Sequence, residues 1–282
     1  MNLQELSLRA ARAGATAIRA VVDGKRLDVT YKDAADRDPV TAADQASEQA
    51  ICALVSRYRE VDSILSEESG ETGGPAGASG TRWIIDPLDG TANFVHGMDR
   101  YAVSVAAETT EVTGAAGVVG RRRVVAAAVL QPVTGRWLAL DAGGKPVGNV
   151  DQVGVNTDAV AERALLAFAV PNAPAARRRA YRALTGLAPR VQDLRNFGST
   201  VCDLFSVATA ELDGFVSFDP APWDVAAGAA LVEAAGGESR RFVHRDGMRV
   251  IVCGPAAVVT AVSAWLGAPL PMSHQSRKAG RP

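Results

Sequence analysis

The chain has 282 residues, 48% of them hydrophobic and 22% charged, with a formal net charge of -1. That length supports one large domain or two modest ones, each with its own core, and the composition is that of a soluble globular protein. Near-zero charge argues against a polyanion or nucleic-acid binder held by bulk electrostatics, and three scattered cysteines give neither a disulfide framework nor a zinc motif.

The opening MNLQELSLRAARAGATAIRA carries charges throughout, so it is no signal peptide. Leu3, Leu6, Ala10, Ala13, Ala17 and Val21 recur at helical spacing and predict an amphipathic helix. A second helix is expected over 41–58, with Thr41 as N-cap and Asp44 three residues on. Short strands follow at 63–66 and 82–85, separated by the Gly-rich GETGGPAGASGT, which reads as a flexible loop. The segment 101–107 alternates like a strand, and 124–130 with 136–140 reads as a hairpin through Pro132 and Gly135.

A break in periodicity falls at 145–160. Beyond it the pattern predicts a strand at 164–170, helices at 175–187 and 199–212, and a strand at 214–218. A helix over 224–235 stops at Gly236 and Gly237, and a strand at 249–253 and a helix at 256–266 follow. The polar tail MSHQSRKAGRP reads as disordered. His244 and His274 read as surface residues, and the arginine triplets at 121–123 and 177–179 as solvated faces. Cys52, Cys202 and Cys253 read as small apolar residues and fit a reducing, cytoplasmic setting. No stretch is long and uncharged enough to span a membrane. The elements make a mixed α/β chain, with parts of about 1–145 and 146–270 sharing an interface and a tail at 271–282.

Four places join acids to apolar segments. Trp83, Ile84 and Ile85 have the composition of a buried strand, and Pro87, which cannot donate to a ladder, is expected to stop pairing there. Asp86 and Asp89 then stand past the strand end, where open α/β sheets bind ligands. Two carboxylates held together repel unless something compensates, and a hard divalent cation such as magnesium takes carboxylate oxygens. A helix turn starting at Thr91 would aim free N–H groups at the same place, which favours an anion. Taken alone, D-P-L-D-G-T reads as a turn with helix caps, since Asp, Gly and Thr all favour turns. The other three acidic places are Asp38 and Asp44 at a helix start, Glu67 and Glu68 after Ile64 and Leu65, and Asp224 at the start of another helix.

These residues carry a resemblance. D-P-V-T-A-A-D at 38–44, S-E-E-S at 66–69, W-I-I-D-P-L-D-G-T-A-N-F-V-H-G at 83–97 and W-D-V-A-A-G-A-A-L-V-E-A-A-G-G at 223–237 are similar to the inositol monophosphatase family of magnesium-dependent, lithium-sensitive phosphatases. R-N-F-G-S at 195–199 adds a weaker match. The resemblance implies a layered αβαβα sandwich, a homodimer, and a small phosphorylated substrate hydrolysed with two or three Mg2+ ions per site. It implies that Glu67, Asp86 and the carbonyl of Leu88 hold one ion, that Asp86, Asp89 and Asp224 hold a second, and that a looser third sits near Glu67 through water. Thr91 and Asp44 would activate the attacking water, and the N–H groups of Gly90 and Thr91 would hold the phosphate. This suits the chemistry of ester hydrolysis, in which two metals about 3.5–4 Å apart supply a nucleophile, neutralise phosphoryl charge and help the leaving alkoxide.

The departures lie on the substrate side. Ser217 stands where family members carry a glutamate that binds substrate hydroxyls, and Asp219 either replaces it or is a turn acid before Pro220. Ser66 replaces a usual glycine, and Thr200, after Ser199, a usual alanine; both Ser199 and Thr200 are candidate substrate contacts. Lys32 is offset from the family's lysine. His96 is either a proton donor or a helix-end packing residue. The expected activity is therefore a phosphomonoesterase on an inositol-1-phosphate-like polyol or sugar phosphate. Histidinol phosphate, a fructose bisphosphate and an aminocyclitol phosphate remain alternatives. A non-catalytic binding or regulatory protein on the same fold is the reading from another class.

Overall fold

The computed structural model describes residues 1–24, 29–31, 39–73, 80–113 and 118–267. Lys32, Asp38, the middle of the Gly-rich segment, His274 and the tail at 271–282 lie outside these residues. Helix α1 (Leu3–Asp23) and the small antiparallel pair β1 (Val29–Tyr31) and β2 (Pro39–Thr41) precede α2 (Ala42–Tyr58). The sequence then runs through β3 (Ser63–Ser66), β4 (Gly70–Gly73), β5 (Thr81–Asp89), the short α3 (Thr91–Val95), and the long hairpin β6 (Ala102–Thr113) and β7 (Val118–Leu130). Strands β8 (Trp137–Leu140) and β9 (Pro146–Gly148) finish a seven-stranded sheet of order β4-β3-β5-β6-β7-β8-β9.

The second half contains β10 (Leu165–Ala169), α4 (Pro174–Leu187), β11 (Asp193–Arg195), α5 (Thr200–Ala208) and β12 (Gly214–Phe218). It ends with α6 (Pro222–Ala234), β13 (Glu238–Val243), β14 (Arg249–Gly254) and α7 (Ala256–Trp265). Its five strands form a second sheet of order β11-β10-β12-β14-β13.

Three apolar clusters define the layers. Leu6, Ile18, Ile51 and Val55 from α1 and α2 pack on Trp83, Ile85 and Val103 of the first sheet. The other face of that sheet, through Ile84, Ala106 and Val129, meets Leu204, Phe205, Leu231 and Val232 of α5 and α6. The same two helices cover Phe215, Ile251 and Cys253 of the second sheet. Its outer face, with Val216 and Val250, carries Leu184 of α4 and Val258 and Val262 of α7. The order is helix, sheet, helix, sheet, helix, the expected αβαβα sandwich. Each sheet is covered on both faces, which is why its central strands read as near-continuous apolar runs.

The sequence reading of several elements needs correction. β5 does not end at Ile85; pairing with β6 resumes at Asp89 after a break. Residues 70–73 of the Gly-rich stretch pair with β3 instead of looping freely. The short strands β9, β11 and β13 carry Pro, Arg, Ser and Glu, so no apolar alternation announced them. α5 stops at Ala208, short of 212. His244 is buried, not on the surface, and its Nδ1 accepts the Asp246 amide at 3.3 Å. All three cysteines are free thiols, and burial pushes those of Cys202 and Cys253 up to about 12.

The middle layer depends on close helix approach. A Cβ on Gly228 of α6 would lie 2.6 Å from Cβ of Leu204 on α5. Gly228→Ala is therefore expected to lose about 1–3 kcal/mol of stability through overpacking. Urea unfolding with an unchanged midpoint would show that the α5–α6 contact relaxes freely.

Candidate active site

The acidic residues reach one place from four elements. Register between β5 and β6 pairs Asp86 with Ser104 and then Asp89 with Ala102, so one extra residue is accommodated between them. In a regular strand residues three apart face opposite ways, and a one-residue bulge restores them to the same side. Asp86 and Asp89 both face the α5–α6 layer, while Ile85 and Leu88 point into the α1–α2 cluster. β3 runs parallel to β5 with Ser66 opposite Ile85, and the Glu67 amide donates to the Ile85 carbonyl at 3.2 Å. Glu67 thus emerges beside Asp86. The first turn of α6 supplies Asp224, whose Oδ2 accepts the Ala221 amide at 3.1 Å. The first turn of α5 meets Asp89: the Ser199 hydroxyl and the Val201 amide both donate to Oδ2, the latter at 2.8 Å.

Asp44 belongs to the start of α2. The Thr41 amide and hydroxyl donate to its Oδ2 at 2.8 and 2.6 Å, and the Ala43 amide donates to the Thr41 hydroxyl at 3.1 Å. This is the capping box that the Thr41–Asp44 spacing predicts. Its other oxygen, Oδ1, lies 3.0 Å from the Thr91 hydroxyl, which also stands 3.0 Å from the Leu88 carbonyl. Gly90, at φ 93, makes the turn before Thr91. A Cβ there would come within 3.0 Å of the Arg100 carbonyl and 3.1 Å of Ser199 Cβ, so both the conformation and the space require glycine.

The electrostatics are those of crowded acids. Asp86 is 1% exposed. Burial, then the charges of Glu67, Asp89 and Asp224, hold its carboxyl well above the usual range. Its Oδ1 accepts the Leu88 amide at 3.1 Å, and the Glu67 carboxyl stands beside it. Burial pushes Asp89 up to about 6 against the Ser199, Val201 and Thr200 donors and the Arg100 charge. Burial raises Asp44 as well, opposed by its hydrogen bonds to Thr41 and Thr91.

Among the described residues no three acid, imidazole or thiol groups already stand as a closed metal-ligand set. The oxygens of Asp89 and Asp224 are engaged with neighbouring donors, and Asp86 leans on Glu67. The donor set is nonetheless all oxygen, and its four carboxylates are mutually repulsive. That fits a hard divalent cation, which would neutralise them and keep water in its sphere.

The remaining candidates sit on the second sheet and the helix starts. Ser199 is the N-cap of α5, its hydroxyl accepting the Cys202 amide at 3.2 Å, and Thr200 follows it, buried. Ser217 is 3% exposed on central β12, between Ala169 and Ile251. Asp219, at φ 49, accepts the Arg249 amide at 2.8 Å, and its own amide donates to the Arg249 carbonyl at 2.6 Å. That carboxylate ties the end of β12 to β14. His96 caps α3 through its backbone and is exposed.

Sequence reasoning missed three supports. Asn93 donates to the Arg100 and Phe197 carbonyls, each at 2.7 Å, and so joins α3 to the 195–199 segment. Ser47 donates to the Pro87 carbonyl at 2.7 Å, holding the bulge from α2. Arg100 pairs with Asp203 at 2.7 Å. Asn93 and Ser47 are small polar residues inside helical apolar patterns, the one signal that could have marked them; Arg100 and Asp203 lie 103 residues apart with no local cue.

Comparison with known proteins follows the same outline. The family model described as "Inositol monophosphatase family" matches residues 2–263. An inositol-1-monophosphatase of Rhizobium meliloti (strain 1021) is 31% identical over 265 residues, 92% of this chain and 94% of the relative. The Nus factor SuhB of Pseudomonas aeruginosa is 33% identical over 236 residues, 82% of each chain. The crystal structure of the extragenic suppressor protein suhB from Bartonella henselae superposes with a TM-score of 0.77 at 29% identity, covering 93% of this chain and 97% of that one. No described helix is long and apolar enough to cross a membrane. With the family match running through both sheets, the chain belongs to the inositol monophosphatase family, which is generally metal-dependent and whose inositol-1-monophosphatase relatives are phosphoric monoester hydrolases.

Proposed function

We propose that the chain is a magnesium-dependent phosphomonoesterase acting on a small polyol or sugar phosphate of the inositol-1-phosphate type. The observation that carries this is the buried carboxylate cluster of Asp86 with Glu67, Asp89 and Asp224, set beside the Thr91 hydroxyl in contact with Asp44. Glu67, Asp86 and the Leu88 carbonyl would hold one magnesium, Asp86, Asp89 and Asp224 a second, and Glu67 a third through water. Bound magnesium supplies charge neutralisation at the phosphoryl oxygens and lowers the pKa of coordinated water.

The chain's own groups do the rest. As the attacking water gives a proton to the Thr91 oxygen, the Thr91 hydroxyl proton moves to Asp44 Oδ1, 3.0 Å away, so Thr91 stays neutral. Burial raises the proton affinity of Asp44, which suits it to receive that proton. Its Oδ2 stays fixed by Thr41, so the receiving oxygen keeps its aim. The Gly90 and Thr91 amides orient the phosphate. Ser199 and Thr200 act on Asp89, while Ser217 and Asp219 lie toward the alcohol.

The name of the Rhizobium relative supports an inositol phosphate substrate. Ser217 in place of glutamate removes a long acceptor for substrate hydroxyls, so this reading extends to histidinol, fructose and aminocyclitol phosphates. The same reading takes the protein as a cytoplasmic homodimer in which 1–270 form one phosphatase domain.

Phosphate release from a panel of small esters is expected to need magnesium, to stop with chelator, and to vanish in Asp89→Asn. Asparagine still accepts from Ser199 and Val201, so that variant keeps its fold. Release from no ester by folded, magnesium-binding protein would favour a binding role on this fold. Ser217→Glu is expected to raise kcat/KM for inositol 1-phosphate relative to the other esters; unchanged or lower activity refutes the specificity argument.

Stability should also depend on pH once metal is removed. Asp89 and Asp203 rise from the ordinary 3.8 to about 6 and about 7, and Asp86 is also held well above its ordinary value. The stabilisation from their protonated forms is complete below about 4 and is lost as pH rises through about 7. The Tm of chelated protein is expected to fall between pH 5 and pH 8, and magnesium to restore most at pH 8. A flat or rising Tm in chelator contradicts the crowded-carboxylate account.

A further inference from the structure

One cation stands against the carboxylates from outside the cluster. Arg100, two residues before β6, donates from Nη2 to Asp203 Oδ1 at 2.7 Å and reaches the Ser206 hydroxyl at 3.4 Å. The Asp203 side chain is 1% exposed and that of Arg100 30%. The guanidinium lies over the Phe197 ring, 4.2 Å from its centroid. The Arg100 carbonyl accepts from Asn93, whose Nδ2 also donates to the Phe197 carbonyl. Arg100 therefore touches the segment before β6, the 195–199 segment and α5 at once.

Asp203 sits in the first turn of α5, where its amide donates to the Ser199 carbonyl at 3.1 Å. That same turn supplies the donors on Asp89: the Ser199 hydroxyl and the amides of Thr200 and Val201. A buried carboxylate without its partner is strongly unfavourable, so Asp203 holds its place only while Arg100 does. Arg100 also opposes the burial of both Asp203 and Asp89 electrostatically.

We propose that Arg100 is a positioning residue for Asp89: by clamping Asp203 and Phe197 it fixes the first turn of α5, and that turn fixes the Asp89 carboxylate. The inference rests on the reading above that Asp89 is a ligand of the second magnesium. Support at one remove of this kind changes metal affinity by about 10–100-fold when lost. Lysine keeps the charge but not the planar stack on Phe197, so it replaces arginine only in part.

The test is magnesium binding by titration calorimetry without substrate, on wild type, Arg100→Gln, Arg100→Lys and Asp89→Asn. Steady-state kinetics at saturating magnesium accompany it. Arg100→Gln is expected to weaken the Asp89-dependent binding by about tenfold or more, with Arg100→Lys between it and wild type. The magnesium needed for half-maximal rate should rise by the same factor, while substrate KM at saturating magnesium stays within about twofold of wild type, because Arg100 acts through Asp89 and not on the ester. Folded Arg100→Gln with wild-type magnesium affinity overturns the proposal. If Arg100→Gln does not fold, wild-type affinity in Arg100→Lys overturns it instead. Wild-type affinity in Asp89→Asn would overturn the ligand assignment itself and the proposal with it, whereas loss in Asp89→Asn with both Arg100 variants unaffected refutes the positioning role alone.

Discussion

The one extra residue in β5 between Asp86 and Asp89 sets the geometry around it. Without it the two aspartates would point to opposite faces of the sheet, one into the α1–α2 cluster. With it both face α5 and α6, and Leu88 takes the place between them on the apolar side. Pro87 suits the break, since it has no N–H to leave unpaired, and its carbonyl is held by Ser47 from α2. A local irregularity of one residue thus decides whether a carboxylate pair exists at all.

Once the pair exists, its charge has to be managed by what converges on it. Four helices begin at this place, and the first turns of α2, α5 and α6 carry donors and acids together. Asp44 and Asp224 each accept an amide from the residue before their own helix, and Ser199 caps α5 while donating to Asp89. Each of these side chains therefore stabilises a helix start and faces the site from a fixed position. Rigid placement matters because like charges left mobile would separate into solvent. Here β5 and β3, packed between helix layers, do not let Asp86 and Glu67 move apart.

The layered fold was legible in the sequence where a segment was buried on one stripe or on both faces. α1, α2, β3 and the later helices α4, α6 and α7 follow from apolar spacing and from caps such as Thr41–Asp44. The edge strands β9, β11 and β13 were not legible, because an edge held by backbone bonds needs no apolar alternation. The bulge was misread because proline ended the strand by rule, while the structure resumes pairing two residues later. At the site, the motif acids could be named from their order along the chain. Arg100, Asp203 and Asn93 could not, since their importance arises only when β6, α3 and α5 meet.

The two sheets divide the labour in a way that bears on specificity. Most of the acids that carry the proposed chemistry come from β5, the end of β3 and the start of α2. The residues proposed to face the alcohol, Ser217 and Asp219, lie on or just after β12 of the second sheet. The halves meet at the site through Asp89 with Ser199, through Asp224, and through Asn93 and Arg100 against Phe197. Under that proposal, a change on β12 alters what surrounds the leaving group without disturbing the bulge, the Asp86–Glu67 pair, or the Thr91–Asp44 contact. Asp219 illustrates the limit of that freedom. Its carboxylate is already taken by the Arg249 amide, so it cannot turn fully toward a substrate without loosening β14. Under the proposed function, an alcohol held at this point would meet a serine at 217 and, at 219, a carboxylate whose Oδ1 is already bonded to the Arg249 amide.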